Sequence, residues 1–422
     1  MRFIRIGIFA LVVFGVASHG AVEDWARAVL EIGAALLFLI WAVRAYLTLE
    51  HQLVISPLLL PLVSLLLIAL GQWLFHRTAS SYETRMEFQL LLADILLLFL
   101  ASQTFRTLED WRSFIWFVMT FGFLVAIFGI LQHLTFNGKL YWFREMRYGG
   151  IPFGPYVNRN HFAGFMELVI PVSLVPLVLG KVRRERWFLV SLFAVVPIGA
   201  LFLAASRGGI VSFAVEVGVL VLWLILRRTV GKHLLSGGAV LLLAFLMVSW
   251  LGVHQLVERF SSLQSLEVTG GKRASMRADT WRIFLDHPWI GTGLGTLQTV
   301  FPPYETLYDG KIVNHTHNDY LEGLAEMGIA GGLCCVWFLG VLFFDSLRQL
   351  SRPNGAFAST IRLSALVACL GFLTHALFDF NLHIPANALF FFLMANLATT
   401  EIRPSTPQIP KSGSPRHSHR NH

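Results

Sequence analysis

FIWFVMTFGFLVAIFGIL, residues 114–131, is a run of eighteen residues without a charged side chain. A helix needs about 20 mostly apolar residues to cross the hydrocarbon core of a bilayer. Eleven more runs of similar character are centred near residues 11, 37, 65, 96, 171, 196, 217, 243, 337, 370 and 391. We therefore predict an all-α fold, a polytopic integral membrane helical bundle of about twelve transmembrane helices.

The composition agrees with a membrane protein. Hydrophobic residues make up 55% of the 422 residues and charged residues only 14%, whereas soluble domains carry about 25% charged residues. The net charge of +8 is spread over loops between apolar runs, so we expect membrane lipids as partners and no nucleic acid. The three cysteines are too few for a disulfide framework or a zinc site and are predicted to be small core residues: Cys334, Cys335 and Cys369.

The distribution of basic residues predicts the orientation of the bundle. Short loops rich in Lys and Arg, such as 180–187 and 227–233, fall on the same side as the N-terminus, and cytoplasmic loops are enriched in these residues. We divide the chain into a transmembrane domain, residues 1–402, and a disordered basic cytoplasmic tail, residues 403–422. The first apolar run could also be a signal peptide, but we favour an uncleaved first span.

Two segments on the opposite side are longer than ordinary connections. One covers residues 135–161 and the other about residues 254–327, between spans nine and ten. Loops longer than about 15 residues are usually functional or disordered. The second segment, which we call the long loop, contains a helical pattern and Gly/Pro turns, so we predict a partly helical extramembrane structure. Both segments carry arginine against the usual charge bias, which favours an anionic ligand.

The tenth span is preceded by the polar cluster NHTHNDYLEGLAEMGIAGG, residues 314–332. Thr316 followed by Asp319 resembles a capping box, which would place His317 at the first helical position. The positive end of the helix dipole disfavours a cationic histidine there, and a neutral imidazole is the form that a general base requires. A polar helix start at the membrane interface, without any catalytic role, remains the alternative.

A metal site is a second alternative for this cluster. His315 and His317, with Asp319 or Glu322, could supply ligands. Metal sites are better indicated by a helical i, i+4 pair or by a second cluster, and His161 is the only obvious distant partner. We therefore predict no metal and no cofactor.

The stretch AASRGG, residues 204–209, joins spans seven and eight on the side of the long loop. Ser206 is predicted to cap the eighth helix and to leave Arg207 in its first turn. A helix N-terminus with a guanidinium group favours phosphate binding, and Gly208 and Gly209 would let a ligand or a neighbouring helix approach closely. A lone arginine at a span end can also be an interfacial snorkelling residue.

Further cationic candidates lie in the two long segments. Arg277 and Trp281 are spaced i, i+4 in the long loop, so one helical face presents a cation beside an indole. NRNHFAGF, residues 158–165, places Arg159 and His161 just before the sixth span. Solvated surface charge and a polar helix start are the alternative explanations.

A transporter of lipids or ions is the competing function from another class. Transporters often bind their substrate at mid-membrane between helices broken by Gly or Pro, and the sixth span contains Pro171 and Pro176. Asp94 and Glu216 lie within spans and are predicted to face the bundle interior, since charged groups are costly in lipid. The other polar residues concentrate at span ends and in the long loop, which favours interfacial chemistry.

Four motifs together resemble the O-antigen ligase and Wzy polymerase superfamily of bacterial glycosyltransferases, over about residues 80–400. In chain order they are NRNHFAGF, ASRGG, the Arg277–Trp281 pair leading to HPWIGTGLGT, and His317-Asn318 ahead of Gly328. The resemblance implies glycan transfer at the periplasmic face of the inner membrane. The implied donor is an undecaprenyl-diphosphate-linked glycan, and the implied acceptor is a hydroxyl of lipid A-core, of another glycan unit or of a protein. O-antigen ligase and polysaccharide polymerase differ only in acceptor, and the motifs leave that choice open.

The resemblance also implies roles for individual residues. His317 corresponds to the catalytic histidine, and Arg207 and Arg277 correspond to the diphosphate-binding arginines. Arg159 is assigned to the same anion site. Supporting positions are His161, Asn318, Asp319, Trp281 and Gly328. Two arginines and a helix N-terminus can hold a diphosphate without a metal ion, so the expected reaction is independent of metal. Direct displacement at the anomeric carbon would invert its configuration.

Overall fold

The computed structural model describes residues 1–48, 53–145, 151–228, 237–251, 263–308, 310–352 and 355–401, with the backbone alone for 263–270. Within these ranges the regular secondary structure is helical and no β-strand occurs, which confirms the predicted all-α class. The predicted tail, residues 403–422, and the first part of the long loop lie outside the described residues.

The helices follow the predicted apolar runs. In chain order they are α1 Arg2–Ala17, α2 Asp24–Thr48, α3 Leu59–Leu74, α4 Ser81–Thr104, α5 Leu108–Leu134, α6 Arg159–Val178, α7 Arg184–Leu203, α8 Arg207–Leu226, α9 Gly237–Leu251, α10 Leu263–Asp286, α11 Leu297–Val300, α12 Asp319–Ser351, α13 Ala356–His375 and α14 Pro385–Thr399.

The protein is a multi-pass membrane protein. A helix lies at each of the twelve predicted span centres. Eight of these helices are long and apolar enough to cross a bilayer, and α3, α9 and α14 are shorter apolar helices. Helix α1, of 16 residues, packs its Ile4, Ile8 and Val12 side chains into the bundle. The count of twelve spans and the orientation in the membrane stay predictions.

Helices α6, α13 and α14 form the centre of the bundle. α6 packs against α7, α8 and α13, and α13 also packs against α14. Their side chains are buried almost all round, as expected for helices that are apolar on every face. This central position brings the starts of α6, α8 and α12 to the same end of the bundle as the end of α13.

The long loop is described over 263–308 and 310–318 and is partly helical, as predicted. α10 contains the predicted helical stretch, and a 3-10 turn follows at Pro302–Tyr304. The loop has a small apolar core of its own, made by Met276, Ile283, Leu297, Phe301, Val313 and Ala325. Ala325 belongs to α12, so this core fixes the long loop against the helix that follows the candidate base.

Helix α12 is kinked at Gly328. This residue has φ +60°, and a Cβ atom there would lie 2.5 Å from the carbonyl of Trp289. The backbone amides of Ile329 and Ala330 donate to the carbonyls of Pro288 and Trp289, at 2.8 and 3.1 Å. Glycine is needed because both the left-handed backbone and the close approach exclude a side chain.

The burial of two acidic residues and of the cysteines can be compared with the predictions made for them. Asp94 and Glu216 are 6% and 1% exposed, so the prediction that both face the interior is confirmed. Cys369 is buried, but Cys335 is exposed, and its prediction as a core residue is wrong. Around Cys335, only one side of α12 packs against other helices. Cys335 lies on the exposed side of the helix, near the exposed side chains of Leu333 and Val336.

Candidate active site where four helices meet

His317 lies immediately beside Asp379. Its Nδ1 atom is 3.0 Å from Oδ1 of Asp379, in the segment between α13 and α14. The Asp379 side chain is 1% exposed, whereas the His317 side chain is 24% exposed. One nitrogen of the imidazole therefore faces a buried carboxylate while the ring remains accessible to a substrate.

Asp379 is held by several donors. Its Oδ2 accepts from the side-chain amide of Asn160, and its Oδ1 also accepts from the amide of Phe380 at 3.0 Å. Burial alone would raise the pKa of the Asp379 carboxyl, but the hydrogen bond from His317 and the charges of the neighbouring histidines hold it well below its usual range. An ionised Asp379 accepts the Nδ1 proton of His317, so that Nε2 is left as the basic nitrogen.

The predicted capping box of α12 is wrong. The N-cap residue is Asn318, whose Oδ1 accepts from the amide of Leu321 at 3.0 Å. Asp319 is turned away to accept from His383 instead, and the Thr316 hydroxyl donates to the Asn318 carbonyl. His317 thus precedes the helix rather than opening it, so the dipole argument for a first-turn histidine does not apply in that form.

The backbone of His317 is itself unusual. Its φ is +54°, in the left-handed region that non-glycine residues seldom occupy. Arg277 stabilises this conformation, because its Nη2 atom donates to the carbonyls of His317 and Leu377, both at 3.1 Å. Arg277 therefore connects α10 to the loop before α12 and to the segment after α13.

Arg277 lies at the site, as predicted. Partial burial, together with the charge of Arg273, lowers the pKa of its guanidinium from the usual value. Trp281, one turn further along α10, is 46% exposed and its ring lies 4.9 Å from that of Phe284. Its proximity to Arg277 along the chain fits the predicted supporting role, which remains a prediction.

Arg207 opens α8, as the pattern predicted. Ser206 is the N-cap residue, and its Oγ accepts from the amide of Gly209 at 3.2 Å. A Cβ atom on Gly208 would lie 2.6 Å from Nε2 of His375. The glycine therefore admits a neighbouring helix, one of the two partners that the sequence left open. The backbone carbonyl of His375 also accepts a hydrogen bond from the backbone amide of Asp379, at 3.0 Å. The start of α8 and Asp379 therefore contact the same residue.

His161 and Arg159 occupy the first turn of α6. His161 is 8% exposed, and its ring packs edge-on against Phe380 at 4.7 Å. Phe380 also contacts the rings of His317 and His315, at 5.1 and 4.2 Å. Arg159 donates its backbone amide to the Ile151 carbonyl at 2.9 Å. The structure thus brings His161 to His317, while the diphosphate contact of Arg159 remains a prediction.

A second histidine network adjoins the first. The Nδ1 atom of His383 lies 2.7 Å from Asp319, and the Nδ1 atom of His315 lies 2.6 Å from Glu322. Burial alone would lower the pKa of His383, but the Glu322 and Asp319 carboxylates raise it well above its ordinary value. These contacts tie the segment between α13 and α14 to the start of α12.

Sequence reasoning missed the segment HALFDFNLHIP, residues 375–385. It supplies Asp379, Phe380 and His383 to the cluster. The available signal was a short polar turn, with an acid between two histidines, on the same side of the bundle as the 314–332 cluster. The distant histidine that lies near His315 and Glu322 is His383 rather than His161, which was the partner expected for the metal alternative.

Comparison with known protein families gives a match over the middle of the chain. Residues 190–336 match the family model described as O-antigen ligase, a range that contains Arg207, Arg277 and His317. No curated protein matches the chain significantly. The match covers about a third of the chain, and over these residues the protein is similar to the O-antigen ligase family of membrane proteins, which supports the predicted resemblance.

Proposed function

We propose that this protein transfers a glycan from an undecaprenyl-diphosphate-linked donor to an acceptor hydroxyl, with His317 as the general base. The observation that carries the proposal is the 3.0 Å contact between His317 and the buried Asp379. This arrangement holds the imidazole in one orientation and favours the tautomer with a basic Nε2. A positioned base of this kind contributes typically about 10²- to 10⁴-fold to a rate.

The reaction is a direct displacement. His317 Nε2 takes the proton of the acceptor hydroxyl, and the oxygen forms a bond to the anomeric carbon of the donor sugar. The bond from that carbon to the diphosphate oxygen breaks, and its electron pair leaves with the diphosphate. Attack opposite the leaving group inverts the anomeric configuration. The sugar–diphosphate bond itself supplies the driving force, so ATP is not required.

Arg207 and Arg277 bind the departing diphosphate in this proposal. Guanidinium groups bind phosphate through charge-assisted and often bidentate hydrogen bonds, and Arg207 adds the N-terminus of α8. Arg159, at the start of α6, is a third candidate contact. Fixed cations at the place where negative charge develops lower the barrier by electrostatic preorganisation, which makes a metal-independent reaction chemically reasonable.

The acceptor separates two closely related activities. An O-antigen ligase uses lipid A-core, and a Wzy-type polymerase of O-antigen or exopolysaccharide uses another glycan unit. We favour the ligase, because the matching family model is described as O-antigen ligase. We place the protein in the bacterial inner membrane with His317 facing the periplasm. The lipid or ion transporter alternative receives less support, since the described polar cluster lies at one end of the bundle.

The test uses the full-length protein in lipid nanodiscs with an undecaprenyl-diphosphate-linked glycan. Lipid A-core, a lipid-linked glycan and a peptide serve as alternative acceptors. Glycosylated acceptor, detected by mass spectrometry, supports transfer, and the acceptor that reacts identifies the activity. In liposomes, movement of the donor between leaflets without any glycosylated product would favour the transporter and contradict the proposal.

A further inference from the structure

Three potential metal ligands converge beside His317. A ring nitrogen of His315, a carboxylate oxygen of Glu322 and a ring nitrogen of His383 all lie within 4.8 Å of one another. They come from three places in the chain: the loop before α12, the first turn of α12, and the 3-10 turn at Asn381–His383. We propose that His315, Glu322 and His383 form a Zn²⁺ site.

The three ligand atoms lie close enough for tetrahedral coordination once the His315 ring shifts. Zn²⁺ binds imidazole nitrogen and carboxylate oxygen at about 2.0–2.2 Å, which places neighbouring tetrahedral ligands roughly 3.3 Å apart. His383 Nε2 is 3.4 Å from Glu322 Oε1. His315 Nδ1 is 2.6 Å from the same oxygen, so this ring would have to move outward by roughly 0.7 Å on metal binding. The His315 side chain is 28% exposed and has room for that movement.

The surrounding residues orient these ligands as outer-shell partners do in metal sites. A ligating histidine almost always donates its other ring N–H to a carboxylate or carbonyl, and His383 Nδ1 lies 2.7 Å from Asp319 Oδ1. This contact leaves Nε2 for the metal. The second oxygen of Glu322 accepts from the amide of Thr316 at 2.9 Å, which leaves Oε1 directed at the two histidines.

The local charge also favours a cation. The carboxylates of Asp319, Glu322 and Glu326 are each 5% exposed or less, and buried negative charge is costly without compensation. Two imidazoles with one carboxylate are a ligand set typical of zinc sites, with a fourth position left for water.

The site would be separate from the candidate base. His317 points its Nδ1 atom at Asp379, so it is not among the ligands, although its spacing from His315 suggested a shared metal. The ion would instead join His315 to His383. His317 lies two residues after His315, and Asp379 lies four residues before His383. A bound ion would therefore brace the loop before α12 against the segment after α13, and it would take no part in the displacement itself.

Metal content tests this inference without any assay of glycan transfer, so its outcome is independent of the proposed function. Full-length protein is stripped with a chelator, exposed to Zn²⁺, freed of unbound ion and analysed by mass spectrometry of the elements. We expect about one Zn²⁺ per chain. Co²⁺ loaded in its place should give the visible absorption bands of a tetrahedral site with nitrogen and oxygen ligands.

Two ligand variants and one control locate the ion. His383→Gln and Glu322→Gln should each lower the Zn²⁺ content at least ten-fold, whereas His287→Gln, at an exposed histidine of the long loop, should leave it unchanged. Wild-type protein that retains no Zn²⁺ and shows no Co²⁺ bands overturns the proposal, whether or not the variants fold. Equal Zn²⁺ content in folded His383→Gln and wild-type protein also overturns it.

Discussion

The Nδ1 atom of His317 lies 3.0 Å from Oδ1 of Asp379, although 62 residues and two helices separate them in the chain. The contact joins the loop before α12 to the segment after α13. It converts an accessible histidine into an oriented one, because the buried carboxylate fixes both the ring and its tautomer.

Replacing the carboxylate by an amide should preserve the shape of the site and remove its charge. In Asp379→Asn, we expect transfer to slow by about 10²- to 10⁴-fold, because the amide no longer selects the tautomer with a basic Nε2. Donor affinity should change little. Single-turnover kinetics measure the rate of transfer, and equilibrium binding measures the affinity for the donor. Asp24→Asn, at an exposed acid in the first turn of α2, serves as the control and should retain the wild-type rate.

Removing an arginine should weaken donor binding. In Arg207→Ala, we expect the Kd for the lipid diphosphate to rise on the order of 10- to 100-fold, since hydrogen bonds to charged groups contribute about 1.5–3 kcal/mol. Arg282→Ala removes an exposed arginine of α10 that pairs loosely with Asp279, at 3.8 Å, and should leave the Kd unchanged. Equal affinity in the Arg207→Ala and Arg282→Ala proteins would remove Arg207 from the diphosphate site.

The junction of α8 and α13 should tolerate no side chain at Gly208. In Gly208→Ala the new Cβ would lie 2.6 Å from Nε2 of His375, so either the ring or the start of α8 must shift. We expect transfer to fall on the order of 10²-fold, as displacements of about 1 Å commonly cause. Gly218→Ala, on the same helix, meets no atom within 4 Å. An unchanged rate in both variants would show that this junction does not position the site.

The kink of α12 should depend on Gly328. Alanine there would be forced to a positive φ and against the carbonyl of Trp289, so we expect a loss of about 1–3 kcal/mol in the free energy of unfolding. Gly340→Ala lies further along α12 with no atom within 4 Å of its Cβ position and should be neutral. The stabilities of Gly328→Ala and Gly340→Ala are compared by their midpoints of thermal unfolding in detergent. Equal midpoints would contradict the strain argument.

Local sequence patterns were sufficient to predict the helices and one N-cap residue. Each apolar run predicted a helix because a spanning segment must satisfy its backbone internally and bury its side chains in lipid or protein. Ser206 was also predicted correctly, because its partner is the amide of Gly209 three residues away. Thr316 and Asp319 made an equally plausible local pattern, yet the structure uses Asn318 as the N-cap residue.

Long-range contacts account for what the sequence did not predict. Asp319 is bonded to His383, 64 residues away, rather than to its own helix start. Glu322 and Glu326 fall on the buried face of α12, where periodicity predicts apolar side chains, because histidines and loop amides from elsewhere satisfy them. The side chains that contact Asp379, those of Asn160 and His317, lie far from it in the sequence. Such pairs become visible only when the packing of α12 against α13 is known.

The central claim is that His317 removes the proton of the acceptor hydroxyl. Its most direct test is the single-turnover rate of glycan transfer by His317→Ala, with enzyme in excess over a fluorescent undecaprenyl-diphosphate-linked glycan. We predict a rate about 10²- to 10⁴-fold below that of the wild type, with donor affinity unchanged and with His287→Ala at the wild-type rate. Transfer at the wild-type rate in His317→Ala would contradict the account.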